Sequence, residues 1–425
     1  MTLQATGPIK VSEVRTELGT SGTINLGATS ARTLAGKAAG VILMSDFYGK
    51  TSAPILSGTL WKTLANPSPG IDDWFGQSVA ISGNYAVVGS QNDDTGASNS
   101  GQAYIFDVTT GALLWTLTNP APTTSDYFGN SVAISGNYAI VSAHFDDNTG
   151  SNSGRAYIFD VTTGALWKIL DNPYPSTNGY FGVGVGLSGN YAIVGYYMHD
   201  IGATDSGSAY IFDVTTGAYV STLSNPTPAA TDRFGQSVAI SGNYAIVGTS
   251  LDDTNATDSG SAYIFDVTTG TLLWTLANPT PAAVDNFGWG VGISGNYAIV
   301  SSHKDDTGAT DVGRVYVFDV TTGALLRTLT NPAPTATDYF GYSVAISGNY
   351  AIIGAYLDDT TGDASGSAYI FDVTTGTLLK TLANPTPAVS DSFGISVAID
   401  GIYTIVGANG DDTVASASGS AYIFK

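Results

Sequence analysis

Tryptophan, tyrosine and histidine recur in this chain at positions 53 residues apart, and these are side chains that stack on rings and satisfy hydroxyls. One set stands just before a Phe-Gly pair: Trp74, Tyr127, Tyr180, Arg233, Asn286, Tyr339 and Ser392. A second stands two residues after the Phe: Gln77, Asn130, Val183, Gln236, Trp289, Tyr342 and Ile395. A third comprises Gln91, His144, Tyr197, Ser250, His303, Tyr356 and Asn409, and all three histidines (His144, His199, His303) fall in or beside that loop. Such a surface fits recognition of a sugar face or a peptide side chain; drift at unconstrained positions would give the same diversity. Trp289, His303, Lys304, Tyr342 and Tyr356 are expected to be neighbours and to form the main ligand-binding group. Trp74, Tyr127, His144, Tyr180, Tyr197 and Tyr339 complete the candidate surface.

A second chemistry lies in the acidic loops, which read Asp252-Asp253 with Asp258, Asp305-Asp306 with Asp311, and Asp358-Asp359 with Asp363. Clustered carboxylates suit calcium, a hard cation that takes oxygen ligands. Asp-Asp beside Thr or Gly is also ordinary turn chemistry. Calcium is the one cofactor the sequence offers. Catalysis is not expected: the only glutamates, Glu13 and Glu17, lie outside the repeats. The serine of Phe-Gly-x-Ser-Val belongs to a regular strand, not to a nucleophile elbow.

The elements that position these residues follow from the period. Phe75, Phe128, Phe181, Phe234, Phe287, Phe340 and Phe393 each precede a Gly at an unvarying interval, which is the mark of a repeat architecture. The fourth copy offers four strands, Ser237–Ser241, Tyr244–Thr249, Ser261–Val267 and Thr271–Ala277, separated by Ser-Gly-Asn, a polar loop and Asp-Val-Thr-Thr-Gly. Asn-Pro then ends the fourth strand. Seven four-stranded antiparallel sheets in tandem predict an all-β, seven-bladed β-propeller. The last unit carries three strands, ending with Ser420–Phe424, and Thr59–Pro67 reads as its missing fourth, so the N-terminal strand should complete the seventh blade and close the ring. The expected organisation is an N-terminal segment 1–52, a linker 53–58 and the propeller 59–425.

Two faces result. The Ser-Gly-Asn and Asp-Val-Thr-Thr-Gly turns make a nearly constant turn face. The acidic loops and Asn-Pro linkers make a loop face, where the aromatics vary. The closing strand should run from the turn face to the loop face, so the N-terminal segment should join on the turn face.

Charge narrows the partners. Residues 1–52 hold five Lys/Arg against three Asp/Glu, whereas the remainder holds nine against 32. A domain of that sign repels nucleic acid and anionic membranes, and contact with anionic polysaccharide would call for divalent bridges. With no cysteine, disulfides and thiolate metal sites are excluded. Neither a signal peptide nor a run long enough to cross a membrane is evident, which points to synthesis in the cytosol without export by the standard signal.

The units resemble FG-GAP repeats, the propeller repeats of integrin α-chains and many bacterial surface proteins. The matching residues are Phe-Gly-x-Ser-Val-Ala-Ile, Val-Gly in the second strand and Gly-Ser-Ala-Tyr-Ile-Phe in the third, across residues 59–425. Integrin-type blades carry a calcium loop of the Asp-x-Asp-x-Asp-Gly kind between strands one and two. Here it has shrunk to Ser-Gly-Asn, so that site is not carried over.

Residues 7–52 contain Ile-Lys-Val-Ser-Glu-Val-x-x-Glu-Leu-Gly, Ala-x-x-Leu-Ala-Gly and Ser-Asp-Phe-Tyr-Gly-Lys. Val11, Val14 and Leu18 fall at helical spacing, and the pattern resembles a segment of virion structural proteins of tailed phages, notably marine and cyanobacterial ones. That resemblance implies a docking module, with Phe47 and Tyr48 as anchors beside Val11, Val14 and Leu18. It implies a tail-associated, fibre- or baseplate-like virion protein, assembled in the host cytoplasm and acting outside it. Its partners would be other tail proteins through residues 1–52 and a host cell-surface glycan or protein through the loop face. A bacterial surface propeller for adhesion and a purely architectural virion spacer are the alternatives.

Overall fold

The computed structural model describes residues 56–360 and 362–425. The N-terminal segment 1–52, with Val11, Val14, Leu18, Phe47 and Tyr48, lies outside the described residues.

These residues form 28 strands, β1 to β28 in chain order, in seven four-stranded antiparallel sheets. Blade 4 stands for the rest: β14 (Ser237–Ser241), β15 (Tyr244–Thr249), β16 (Ser261–Asp266) and β17 (Leu272–Ala277) are neighbours in that order. Ser241 pairs with Tyr244 across Gly242-Asn243, and Gly242 supplies the positive φ of 57° that a two-residue hairpin requires. The next hairpin is tied by Asp266, whose Oδ1 accepts from Thr268 Oγ1 (2.6 Å) and Thr269 N (2.9 Å).

Burial explains the sequence pattern of each strand. The middle strands β15 and β16 are sandwiched between adjacent blades, so both faces are covered and they read as near-continuous apolar runs. The outer strand β17 buries Leu276 and leaves Trp274 at 37% exposure.

The Phe-Gly pair is the joint between blades. Phe287 is fully buried and meets Phe318 edge-on at 6.1 Å between ring centroids, with Tyr316 tilted beside it. Its backbone bridges in parallel to Gly260 of blade 4. A Cβ at Gly260 would stand 2.0 Å from the Phe287 carbonyl oxygen, so only glycine admits this approach. A joint of that closeness fixes how each unit is set against the one before it.

The ring closes as the strand count demands. In the seventh sheet, β1 (Leu60–Ala65) pairs antiparallel with β28 (Ser420–Phe424), followed by β27 (Tyr403–Ala408) and β26 (Ser396–Asp400). Phe75 bridges Gly419, Ser396 Oγ donates to Gly76 O (2.7 Å), and Asp400 Oδ2 accepts from Gly83 N (2.7 Å). Leu60 faces Phe424 and Ala65 faces Ser420, so the chain enters the propeller on the turn face. The innermost strands line an axial channel of about 240 Å³, walled by Val79 and its counterparts every 53 residues to Val397.

Candidate functional site: the loop face

The residue before each Phe-Gly pair is held in a left-handed conformation. Trp74, Tyr127, Tyr180, Arg233, Asn286, Tyr339 and Ser392 have φ between 53 and 59°, a region costly for bulky side chains unless the surroundings impose it. The preceding blade imposes it: Tyr339 N donates to Asp311 O (3.2 Å), and Tyr339 O then accepts from Tyr342 N (2.9 Å). Side chains presented this way are aimed by backbone, not by their own rotamers.

In blades 5 and 6 these positions gather five rings. Trp289 lies 4.4 Å from His303 and 5.5 Å from Tyr342 between ring centroids. His303 meets Tyr339 edge-on at 5.5 Å, and Tyr356 lies 4.4 Å from Tyr342 and 6.0 Å from Tyr339. Lys304, half-buried, adjoins the group through His303. Tyr342 also lines the loop-face mouth of the channel, a cavity of about 300 Å³, together with Gln236, Val183 and Ile395. Burial, with the Lys304 ammonium adding to it, pushes His303 down to about 3, so the imidazole is uncharged at ordinary pH. Burial likewise pushes the Tyr356 phenol up to about 12, keeping it a neutral donor.

A second arc runs over blades 2 to 4. Tyr127 stacks on His144 at 5.8 Å, Tyr180 meets Phe145 at 4.5 Å and stacks on Tyr197 at 5.9 Å, and the Arg233 guanidinium lies 5.8 Å from the Tyr197 ring. Burial alone pushes His144 down to about 3. Arg233 joins this arc in the register of Tyr127 and Tyr180, whereas Phe145, whose counterparts include Asn92 and Leu251, has no aromatic period to mark it. Trp74 stands apart, with no ring contact among the described residues. Near it the face is polar, and Asn409 Nδ2 donates to Gln77 Oε1 (2.7 Å).

The acidic loops act as splints for these arcs. The first aspartate is buried: Asp252 Oδ2 accepts from the Tyr263 hydroxyl (2.9 Å) and its Oδ1 from Thr254 N (2.7 Å). The second is exposed, and its Oδ1 accepts a main-chain N–H five residues on: Asp253 from Asp258 N (2.7 Å), Asp306 from Asp311 N (2.8 Å). Those acceptor-held residues, Asp258 and Asp311, have positive φ and carry the carbonyls that pin Asn286 and Tyr339 in the next blade. Asp252, Asp253 and Asp258, like Asp305, Asp306 and Asp311, are thus spread along a loop; among the described residues no three carboxylate or imidazole groups gather as a metal-ligating set.

Blade 3 departs from this scheme. Elsewhere a further buried aspartate precedes Phe-Gly by two residues, as Asp232, which accepts from Asn225 Nδ2 (2.8 Å) and Ala229 N (2.7 Å). Its counterpart in blade 3 is Gly179, and the space is filled by the Tyr196 ring, 2.1 Å from where a Gly179 Cβ would stand. Where Asp252 stands in blade 4, blade 3 has His199, stacked on Tyr196 at 4.6 Å and hydrogen-bonded through Nδ1 to the Tyr210 hydroxyl (2.9 Å). Aligning the seven copies at the 53-residue period is enough to find both exchanges.

No curated protein matches the chain. The family model for the FG-GAP repeat matches seven segments, residues 69–106, 116–159, 175–212, 220–265, 276–318, 327–371 and 381–424, which together make up well over half of the chain. Each match spans the Phe-Gly joint and the three inner strands just described. The chain therefore belongs to the FG-GAP repeat family, as a propeller suited to protein–protein interaction or adhesion.

Proposed function

We propose that the loop face is a recognition surface whose main contact group is Trp289, His303, Lys304, Tyr339, Tyr342 and Tyr356. The observation that carries this reading is the mutual contact of five rings from two blades beside the channel mouth, at positions where the repeats otherwise differ. Rings braced against one another lose little freedom on binding, so more of the contact energy appears as affinity. The ligand is a cell-surface glycan or protein, and binding is not followed by catalysis.

The finer reading is a tail-associated structural protein of a phage virion, docked through residues 1–52 and meeting the host through the propeller. Its support is the Ser45-Asp-Phe-Tyr-Gly-Lys50 resemblance, together with entry of the chain on the turn face, opposite the proposed contact group. Antibody against residues 59–425 should then label the tails of intact particles. The contact group is tested separately, with fluorescent full-length protein on host cells. Trp289→Ala combined with Tyr342→Ala should weaken binding roughly tenfold or more while cooperative unfolding is retained. A folded double variant that binds as before discards the site.

A further inference from the structure

The turn face carries an aspartate at the end of the third strand in six blades: Asp107, Asp160, Asp213, Asp266, Asp319 and Asp372. In every case its carboxylate is consumed by its own turn, as Asp107 Oδ1 is by Thr109 N (2.9 Å) and Thr110 N (2.7 Å). Continuing the same period by 53 residues gives Lys425. At this corner the repeat therefore has an ammonium where six blades have a carboxylate, while Asp400 of the same blade stands where those six have serine.

That ammonium does not stand alone. Lys425 Nζ lies 4.9 Å from the centre of the Trp61 indole and 5.8 Å from that of Tyr403, and Lys62 Nζ lies 5.0 Å from the same indole. The Lys380 stem packs on Gly58, in the stretch of chain that leads into Trp61. Trp61 and Leu60 are each 41% exposed, and the indole is fixed in place because its Nε1 donates to Val108 O (3.1 Å). Lys425 is anchored too, its main-chain N donating to Thr59 O (3.0 Å) and its O accepting from Thr59 N (3.2 Å). Among the described residues, no carboxylate lies within ion-pair distance of Lys62, Lys380 or Lys425. The turn on whose Gly111 the Lys62 stem rests carries Asp107, already held by its threonines, and Asp400, paired with Tyr403 in blade 7's own first hairpin, accepts from Gly83 N (2.7 Å).

Lysines on outer strands also discourage edge-to-edge pairing, and Lys62, Lys168 and Lys380 all occupy such strands. Lys425 does not, because it follows an inner strand, so edge protection leaves it unexplained. Blade 2 repeats three of the residues at this corner and differs at two, with Trp115 packed on Gly164 where Lys380 packs on Gly58. Trp167-Lys168 repeats Trp61-Lys62 in register, Tyr138 repeats Tyr403, and Lys168 Nζ lies 5.1 Å from the Trp167 ring. At the Lys425 position blade 2 keeps Asp160.

We propose that the blade 7 corner, formed by Trp61, Lys62, Lys425, Lys380 and Tyr403, binds an acidic sugar. The exposed flat indole stacks on the apolar face of a pyranose ring, and the ammonium groups hold its carboxylate. An exposed flat indole with ammonium groups at its edge matches the ring and carboxylate of one sugar unit, which favours a sugar over an acidic peptide. Its charge lets it take an anionic glycan directly, without the divalent bridges that the rest of this acidic domain would call for.

The test uses the full chain at low salt, with oligogalacturonate as probe and neutral galacto-oligosaccharide and oligoglutamate as comparators, read by calorimetry. Oligogalacturonate should bind, more weakly as salt rises, and Lys425→Asp, which restores the residue of the other six blades, should weaken it by about tenfold or more. Asp160→Lys combined with Trp115→Lys, which copies Lys425 and Lys380, should install a second site in blade 2 and raise the stoichiometry from one to two. Circular dichroism on both variants establishes that the propeller is intact. Failure of oligogalacturonate to bind, or equal binding by folded Lys425→Asp, overturns the site. Oligoglutamate binding as tightly as the uronate overturns the sugar assignment, since charge alone would then suffice.

Discussion

Blade 3 and blade 4 have the same strand order and different interiors. Blade 4 holds two buried aspartates near each other, Asp232 and Asp252, each with donors aimed at it. Blade 3 holds neither: a ring fills the first space and an imidazole the second, stacked on one another. One blade braces its loop-face end with ionic hydrogen bonds, the other with packed rings. The aspartates are therefore parts of a brace for which the fold accepts a substitute.

The most disruptive way to break the comparison is to force one solution into the other. Gly179→Asp gives blade 3 the residue found in the other blades, but its Cβ would stand 2.1 Å from the Tyr196 ring. Overpacking plus a newly buried carboxylate should cost about 3 kcal/mol, seen as a lower urea midpoint at unchanged slope. Adding Tyr196→Thr, which copies Thr249 of blade 4, should recover more than half of that loss. Equal stability of Gly179→Asp and the natural chain would mean that the ring does not occupy the space that Asp232 fills in blade 4.

A smaller effect separates the hydroxyls. Tyr263→Phe removes the donor to Asp252 Oδ2 and leaves a buried carboxylate short of a partner, which should cost about 2 kcal/mol. Tyr210→Phe removes the corresponding donor in blade 3, where His199 Nδ1 keeps Ser208 Oγ within 3.2 Å and carries no charge to strand. Its cost should be below about 1 kcal/mol. Similar losses for the two variants would show that the buried charge adds nothing to the value of the bond.

These differences mark how far the sequence could be read. The seven sheets, the strand bounds of blade 4 to within a residue and the closing strand β1 all follow from the period, because every copy keeps its turn and strand residues at the same offsets. The neighbourhood of Trp289, His303, Tyr342 and Tyr356 was also legible, since equal offsets in adjacent blades must fall side by side. What the offsets do not convey is which atoms a side chain meets. Nothing in the spacing of Asp253 says that its carboxylate caps the N–H of Asp258. Nor does it say that Tyr196 leans into the space beneath Gly179. Trp74 lacks ring partners for the same reason, as its register predicts a place on the face but its company depends on Gln77 and Asn409 being amides.

The subtlest distinction between the two interiors lies in their response to acid. Burial raises Asp232 to about 6 from its ordinary 3.8 and raises Asp73, Asp126, Asp285, Asp338 and Asp391 in the same direction. Between pH 3.8 and 6 the folded chain then holds more protons at Asp232 than the unfolded chain, so this residue makes stability fall as pH rises. His144 and His303 act in the opposite sense. With folded values near 3 against 6.5, they leave more protons on the unfolded chain, so stability rises with pH across that window. Because the two sets oppose, the natural chain should show a shallow pH profile. Asp232→Asn should steepen the rise of Tm with pH, whereas His144→Gln with His303→Gln should reverse its sign. Blade 3, with Gly179 in the Asp232 position, has no carboxylate there to titrate. A profile that neither variant changes would mean that these buried groups do not set the acid response, and that blade 3 differs from its neighbours in packing alone.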